Sequence, residues 1–276
     1  MIIDTHVHYD DEVFDKDREE ILSGLLSHGI EMVVDIGADI NTSKKAVELS
    51  EKYSFLYAVV GVHPSETIGI KDADIEFLYE LATEKKYVAS ERDTLSEKEK
   101  NNKKILAIGE IGLDYHWAKD EAEKLNQKKW FIKQIELAQK TDLPIVIHSR
   151  DAAEDTMRII KDEKAYECGG VVHCYSYSPE QAKEYVKMGF FLGVGGVVTY
   201  KNGKKLKETV AQTDLSHIVL ETDCPYLSPE PHRGKRNDST NLRFVIQEIA
   251  ALKGVSEEEV IEITARNARR LYRMDQ

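Results

Sequence analysis

The chain has no run of eighteen apolar residues, so no segment is long enough to cross a bilayer as a helix. It also lacks a basic region followed by an apolar core at its start, opening instead on the strand-like "MII". That argues against a secretory leader, and a cytoplasmic location is expected. Cysteine is scarce: Cys168, Cys174 and Cys224 form no C-x-x-C pair, and an odd count argues against a disulfide framework. An excess of positive charge is missing too. The formal net charge is −12, which argues against coating nucleic acid by bulk electrostatics but leaves room for a local basic mouth. No linker or internal repeat interrupts the 276 residues. With 41% hydrophobic and 32% charged residues there is ample material for one core, and a single domain over 1–276 is expected.

What the chain does contain is a recurring alternation. Apolar, β-branched segments stand at 2–7, 31–37, 57–63, 105–110, 143–148, 169–174, 190–196 and 217–223. Most are near-continuous apolar runs, the pattern of parallel strands covered by helices. The segments between them carry helix start signals. In "SPEQAKEYVKMG", Ser178 is an N-cap, Pro179 opens the helix, Gln181 closes a capping box and Gly189 stops it. Ser256 and Glu259 repeat the pattern before a face of Val260, Ile263, Asn267 and Leu271, which reads as core. Eight strands alternating with helices predict a (β/α)8 TIM barrel, with a doubly wound open sheet as the runner-up. The polar stretch 89–104 breaks the alternation and reads as a solvated, mobile and functionally neutral insertion on the bottom face.

The chemistry gathers where barrel enzymes keep it, at the C-terminal ends of the strands. Strand one ends in "DTHVH", and alternation points His6 and His8 the same way. Strand three ends in His63, strand four in Glu110, strands five and six in His148 and His173, and strand eight in Asp223. Imidazoles with Glu and Asp form a nitrogen and oxygen set for Zn, Mn, Mg or Co. Seven such groups suit two divalent metal ions better than one, and a two-metal centre can clamp both oxygens of a displacement. His217 begins strand eight, about 20 Å from Asp223 at roughly 3.3 Å per residue, hence at the opposite mouth. His28 and His116 read as ordinary polar positions, and His232 as a loop residue near substrate.

At this point a resemblance becomes specific. "DTHVH", "GVHP", "GEIGLDY", "IHSR", "HCYSYSP" and "ETDCPYLSPEPHRGKRN" follow in order from residue 4 to about 240. This series resembles the signatures of the TatD family, metal-dependent deoxyribonucleases of the amidohydrolase superfamily. The resemblance implies that His6, His8, Glu110 and Asp223 hold one metal, and that Glu110 bridges to a second held by His148 and His173. It implies further that Asp223 is the general base for the attacking water, that His63 contacts the scissile phosphate, and that Arg150 lies on the phosphate side. Asp223, Glu110 and His63 would form the catalytic set. Ser176 stands where the family often has glycine, a departure that bears on substrate fit.

Beyond the motifs, "YKNGKKLK" (200–207) and "HRGKR" (232–236) put basic residues at the same rim, with Arg233 and Arg236 as candidate DNA contacts. Cys174 and Cys224 each neighbour a ligand, so alternation points them toward the helices. Asp4 and Glu221, two residues before ligands, face inward one layer deeper, where they could orient imidazoles or pair with a buried cation. Asp114 is expected to fix a loop, and Trp117 and Tyr226 could stack on a base. The leading expectation is an exonuclease acting on single-stranded or damaged DNA, with no membrane and no stable protein partner. The alternative is an ester or amide hydrolase, including deacylation of mischarged transfer RNA. A non-enzymatic role on a retired barrel is disfavoured because every expected ligand is present.

Overall fold

The computed structural model of the protein describes residues 1–83 and 104–274. Eight parallel strands run in the order β1 to β8: Ile2–Val7, Ile30–Ile36, Leu56–Val60, Ile105–Asp114, Ile145–Arg150, Gly170–Val172, Phe190–Val194 and Ile218–Leu220. A parallel bridge between Val7 and Cys224 brings the sheet's two edges together. The TIM-barrel expectation is met, and the open doubly wound alternative is not. No described helix is long and apolar enough to cross a membrane.

The helices cover the sheet because their caps and faces direct them there. They are α1 (Arg18–Gly24), α2 (Ile40–Lys52), α3 (Asp72–Thr83), α4 (Glu121–Thr141), α5 (Ala153–Asp162), α6 (Pro179–Lys187), α7 (Lys204–Gln212), α8 (Leu242–Lys253) and α9 (Glu257–Leu271). Ser178 accepts from the Gln181 N–H to start α6, and Ser256 accepts from the Glu259 N–H to start α9. A reciprocal capping box forms at Asp39 and Thr42, ahead of α2.

The barrel interior is an apolar plug of strand residues such as Ile3, Met32, Val34, Val146 and Phe191, and α9 seals it with Ala265, Ala268 and Leu271. Tyr272 follows and donates its hydroxyl to the Thr5 carbonyl at 2.9 Å. Asn267, on the face expected to be core, is buried and donates to the Leu215 and Ile218 carbonyls, both at 2.8 Å. His217 lies just before β8, away from the strand ends that carry the other histidines.

Several strands depart from ideal register where the site begins. Between Asp4 and Val7, and between Ile108 and Ile111, one strand advances three residues while its partner advances two. These bulges contain His6 and Glu110, and a bulge re-aims side chains that a regular pleat would alternate. Gly112 makes the β4–β5 approach possible, since it has φ +143° and an added Cβ would meet the His148 carbonyl oxygen at 1.9 Å.

Most of the polar stretch 89–104 lies outside the described residues, but Lys104 does not, and at this position the expectation of a solvated, mobile segment is corrected. Its ammonium donates to the Tyr53, Ser54 and Leu56 carbonyls at 3.1, 2.9 and 3.0 Å. It also sits 4.6 Å from the Tyr57 ring centroid. Replacing it removes the partner of three main-chain acceptors. Lys104→Met is expected to lower stability by about 1–3 kcal/mol in urea unfolding. A variant as stable as the wild type would show that water satisfies those carbonyls equally well.

Candidate metal centre

At the C-terminal rim the strand ends deliver their side chains to one buried point, the Glu110 carboxylate. Its Oε2 lies 3.4 Å from His6 Nε2. Its Oε1 faces the other way, 2.6 Å from His148 Nδ1 and 3.8 Å from both His63 Nε2 and His173 Nε2. Asp223 completes the ring, with Oδ1 3.4 Å from His8 Nε2, 3.6 Å from His173 Nε2 and 3.7 Å from His6 Nε2. The His6 and His173 rings stack with centroids 3.5 Å apart. Among the described residues, three groups have donor atoms close enough to share an ion, all within 4.8 Å of one another: His6, His8 and Glu110; His63, Glu110 and His148; His6, His173 and Glu221.

The surrounding hydrogen bonds aim these rings. His8 Nδ1 lies 2.9 Å from the Ile36 carbonyl, which leaves Nε2 to face the centre. Glu221 takes His173 Nδ1 at 3.0 Å and the Cys174 N–H at 2.6 Å, the orienting role anticipated for it. Gly193 makes room, since an added Cβ would come within 2.2 Å of Glu221 Oε2. Asp4 instead holds strand eight, accepting from the Thr222 N–H and hydroxyl at 2.9 and 2.7 Å. Asp114 does more than fix a loop: one oxygen accepts from the His116 and Trp117 N–H groups, and the other lies 3.1 Å from His148 Nε2. His63 Nδ1 lies 2.7 Å from Ser65 Oγ and accepts from the Ser65 N–H at 3.2 Å, an arrangement that favours the neutral tautomer with its proton on Nε2, toward the cavity.

Two lobes open from this point. One, of about 560 Å³, is lined on the side of β1, β2 and β3 by Asp10, Asp11, Glu12, Asp39 and Glu66, with Lys45. The other, of about 440 Å³, is lined by Arg150, Cys174, Val197, Tyr226 and Leu227. His148, His173 and Asp223 belong to both. Cys174 thus overturns the reading that sent it toward the helices. Its φ of +45° ends the strand alternation and turns its side chain to the lobe. Cys224 is fully buried in the apolar layer, as expected.

The candidate phosphate and DNA contacts divide. Arg150 lies 5.7 Å from the Trp117 ring centroid. Arg233 lies 4.3 Å from the Tyr200 ring centroid, on the outer rim. Arg236 is already paired, clasping Asp17 through both terminal nitrogens at 3.0 and 2.5 Å and donating to the Val13 carbonyl. Its charge anchors the loop after β8 to the loop after β1. Neither Arg233 nor Arg236 is among the residues lining the two lobes.

The electrostatics fit a cation. Burial works against a proton on His8, His148 or His173, yet their neighbours outweigh it. Asp223 and Glu110 push His8 up to about 9, Glu110 and Asp114 push His148 up to about 9, and Glu221 and Glu110 push His173 up to about 10. Burial opposes ionisation of Glu110 and Asp223 as well, but the surrounding imidazoles hold both below the usual carboxylate range. Burial pushes His63 down to about 4, which keeps it neutral. His6 Nδ1 is buried with no partner among the described residues. A compact set of buried nitrogen and oxygen donors that otherwise needs protons for countercharge suits a divalent ion.

A parallel α/β barrel whose strand ends gather histidines around a shared carboxylate defines a metal-dependent hydrolase. Residues 3–273 match the family model described as TatD related DNase, and the chain belongs to the TatD family. It is 41% identical over 275 residues to the uncharacterized metal-dependent hydrolase YabD of Bacillus subtilis, with 100% of each chain covered. Human deoxyribonuclease TATDN3 is 31% identical over 274 residues, covering 98% of this chain and 94% of its own. The crystal structure of the Escherichia coli TatD homologue YjjV superposes with a TM-score of 0.85 at 28% identity, covering 99% and 98% of the two chains.

The raised histidines set the sign of a pH effect. Groups pushed up to about 9 and 10 hold their protons at pH 7 and lose them only as the pH rises through those values. An ion must displace those protons, so uptake should release at least one proton at pH 7 and weaken as the pH falls. Calorimetric titration of the chelator-treated protein with Zn²⁺, in buffers of different ionisation enthalpy, reads this directly. Uptake without proton release would mean that the three rings are neutral before binding.

Proposed function

We propose that this hydrolase is a phosphodiesterase that removes nucleotides from the ends of single-stranded or damaged DNA, using two divalent ions drawn from Mg, Mn, Zn or Co. The observation that carries the reading is the division of the Glu110 oxygens between two histidine groups in one buried centre. His6, His8, Glu110 and Asp223 would hold one ion, and Glu110, His148 and His173 the other. When bound, such ions neutralise charge on phosphoryl oxygens and lower the pKa of water. Asp223, ionised at neutral pH, accepts the proton of the attacking water. His63 donates its Nε2 proton to a non-bridging phosphate oxygen, held in that tautomer by Ser65.

DNA as the polymer draws support from the deoxyribonuclease name of TATDN3 and from the charge of the rim. The loops after β7 and β8 are fastened together, since Tyr200 donates to the Ser228 carbonyl at 2.9 Å and Thr199 Oγ1 accepts from the Glu230 N–H at 2.8 Å. They and the first turn of α7 carry the exposed cations Lys201, Lys204, Lys205, Arg233 and Lys235. Across the centre the wall is acidic. A polyanion approaching over the basic side meets repulsion beyond the centre, which favours cleavage near an end. The overall charge of −12 repels DNA at a distance, so binding is local and salt-sensitive.

Turnover of end-labelled single-stranded DNA, with and without chelator and with each ion restored, tests the reading. Metal-dependent release of mononucleotides is expected, and Asp223→Asn should lose most of it because an amide cannot accept the proton. Failure on DNA with every ion, alongside hydrolysis of a mischarged transfer RNA, would replace the reading with an ester hydrolase. Arg233→Ala in catalytically silent protein should flatten the slope of log affinity against log salt by about 0.7. An unchanged slope would leave Arg233 as solvated surface.

A further inference from the structure

Beside the centre, between the loops that follow β3 and β4, lies a narrow slot of about 120 Å³ that no step above uses. Trp117 and Ile68 line it beside the charged Lys119 and Glu123, and both apolar side chains are left open to solvent, 64% and 67% exposed. Large apolar side chains left open to solvent beside a slot carry a cost in exposed area, which points to an absent occupant. Ser65 lines both the slot and the central cavity, so the two lie side by side next to His63. On its other flank Trp117 adjoins Arg150, which lines the second lobe.

The slot is built rather than incidental, because two consecutive amides of α4 hold its two walls. Asn126 donates to the carbonyl and hydroxyl of Thr67, both at 3.1 Å, which fixes the residue before Ile68. Gln127 clasps the backbone of Asp114, accepting from its N–H at 2.9 Å and donating to its carbonyl at 3.0 Å. Asp114 in turn accepts from the Trp117 N–H at 3.2 Å and contacts His148 at 3.1 Å. The indole is therefore registered to the metal centre through a single carboxylate.

We propose that this slot takes one nucleobase of the DNA strand, stacked on the Trp117 indole against Ile68, with the adjoining phosphate directed to Arg150. The inference rests on the DNA reading above and deepens it. An aromatic lining residue and a volume of about 120 Å³ suit a flat aromatic group. A solvated protein segment would need a longer groove, and a whole nucleotide a larger cavity. Stacking tolerates any base, so the slot fixes the position of the strand and not its sequence.

The test is an abasic scan in Asp223→Asn protein, measuring binding of oligonucleotides that each lack one base at successive positions. With Trp117 present, removal of one particular base should weaken binding by roughly 5- to 100-fold, while other positions change little. Trp117→Ala should weaken the intact strand by a similar factor, and the same abasic position should then cost nothing more. Trp117→Phe should retain most of the affinity. In protein with Asp223 intact, Trp117→Ala should raise KM for DNA and Trp117→Phe should not, with a small activated phosphodiester as the reference substrate for the wild-type enzyme. Equal sensitivity at every position, or independent losses from the variant and the missing base, would overturn the slot while DNA cleavage stood. An enzyme that hydrolyses the small diester and no DNA would overturn the parent reading and the slot with it.

Discussion

The hydrogen bonds between the first and last strands close the barrel at the residues that form its chemistry. The Asp223 N–H donates to the His6 carbonyl at 2.9 Å, and the His8 N–H donates to the Cys224 carbonyl at 2.8 Å. One layer deeper, Asp4 takes both the N–H and the hydroxyl of Thr222. A parallel sheet has no local turn to join its edges, so this seam must be made between residues more than two hundred positions apart. Closing it brings His6, His8 and Asp223 together as a consequence. Barrel closure thus assembles this part of the candidate centre, and a bound cation would tighten both.

The rest of the centre depends on strands that stop obeying their own periodicity. Bulges carry His6 and Glu110, while Asp223 and Cys174 turn with φ of +58° and +45° where β8 and β6 leave the ladder. Non-glycine residues in that region are held by their surroundings, and Glu221 supplies part of that hold through the Cys174 N–H. The buried charge is balanced locally: two carboxylates face a ring of imidazoles whose protons a cation can replace. Glu221 and Asp114 pass the constraint outward, from His173 to strand eight and from His148 to the Trp117 loop.

The fold was legible because its signals are periodic and local. Apolar runs marked all eight strands to within a few residues, and Ser178 and Ser256 cap the helices that their positions suggested. The donor set was legible for a related reason, since a barrel delivers its strand ends to one rim and the histidines were already there. What escaped notice depends on geometry that no local pattern carries. Alternation failed for Cys174 because the strand ends at Val172, two residues earlier. Arg236 pairs with Asp17 across 219 positions, and Lys104 reaches carbonyls some fifty residues away. The role of Asp114 was half visible, since its loop contacts are local and its contact with His148 is not.

The proposal at the centre of the account is that Glu110 would hold two ions at once, one oxygen toward each histidine group. Electron paramagnetic resonance of protein loaded with two equivalents of Mn²⁺ tests this bridge without reference to any substrate. The account predicts an exchange-coupled signal from a pair of ions, lost in Glu110→Ala even when Mn²⁺ remains bound. A spectrum of isolated, uncoupled ions at every loading would contradict a shared carboxylate.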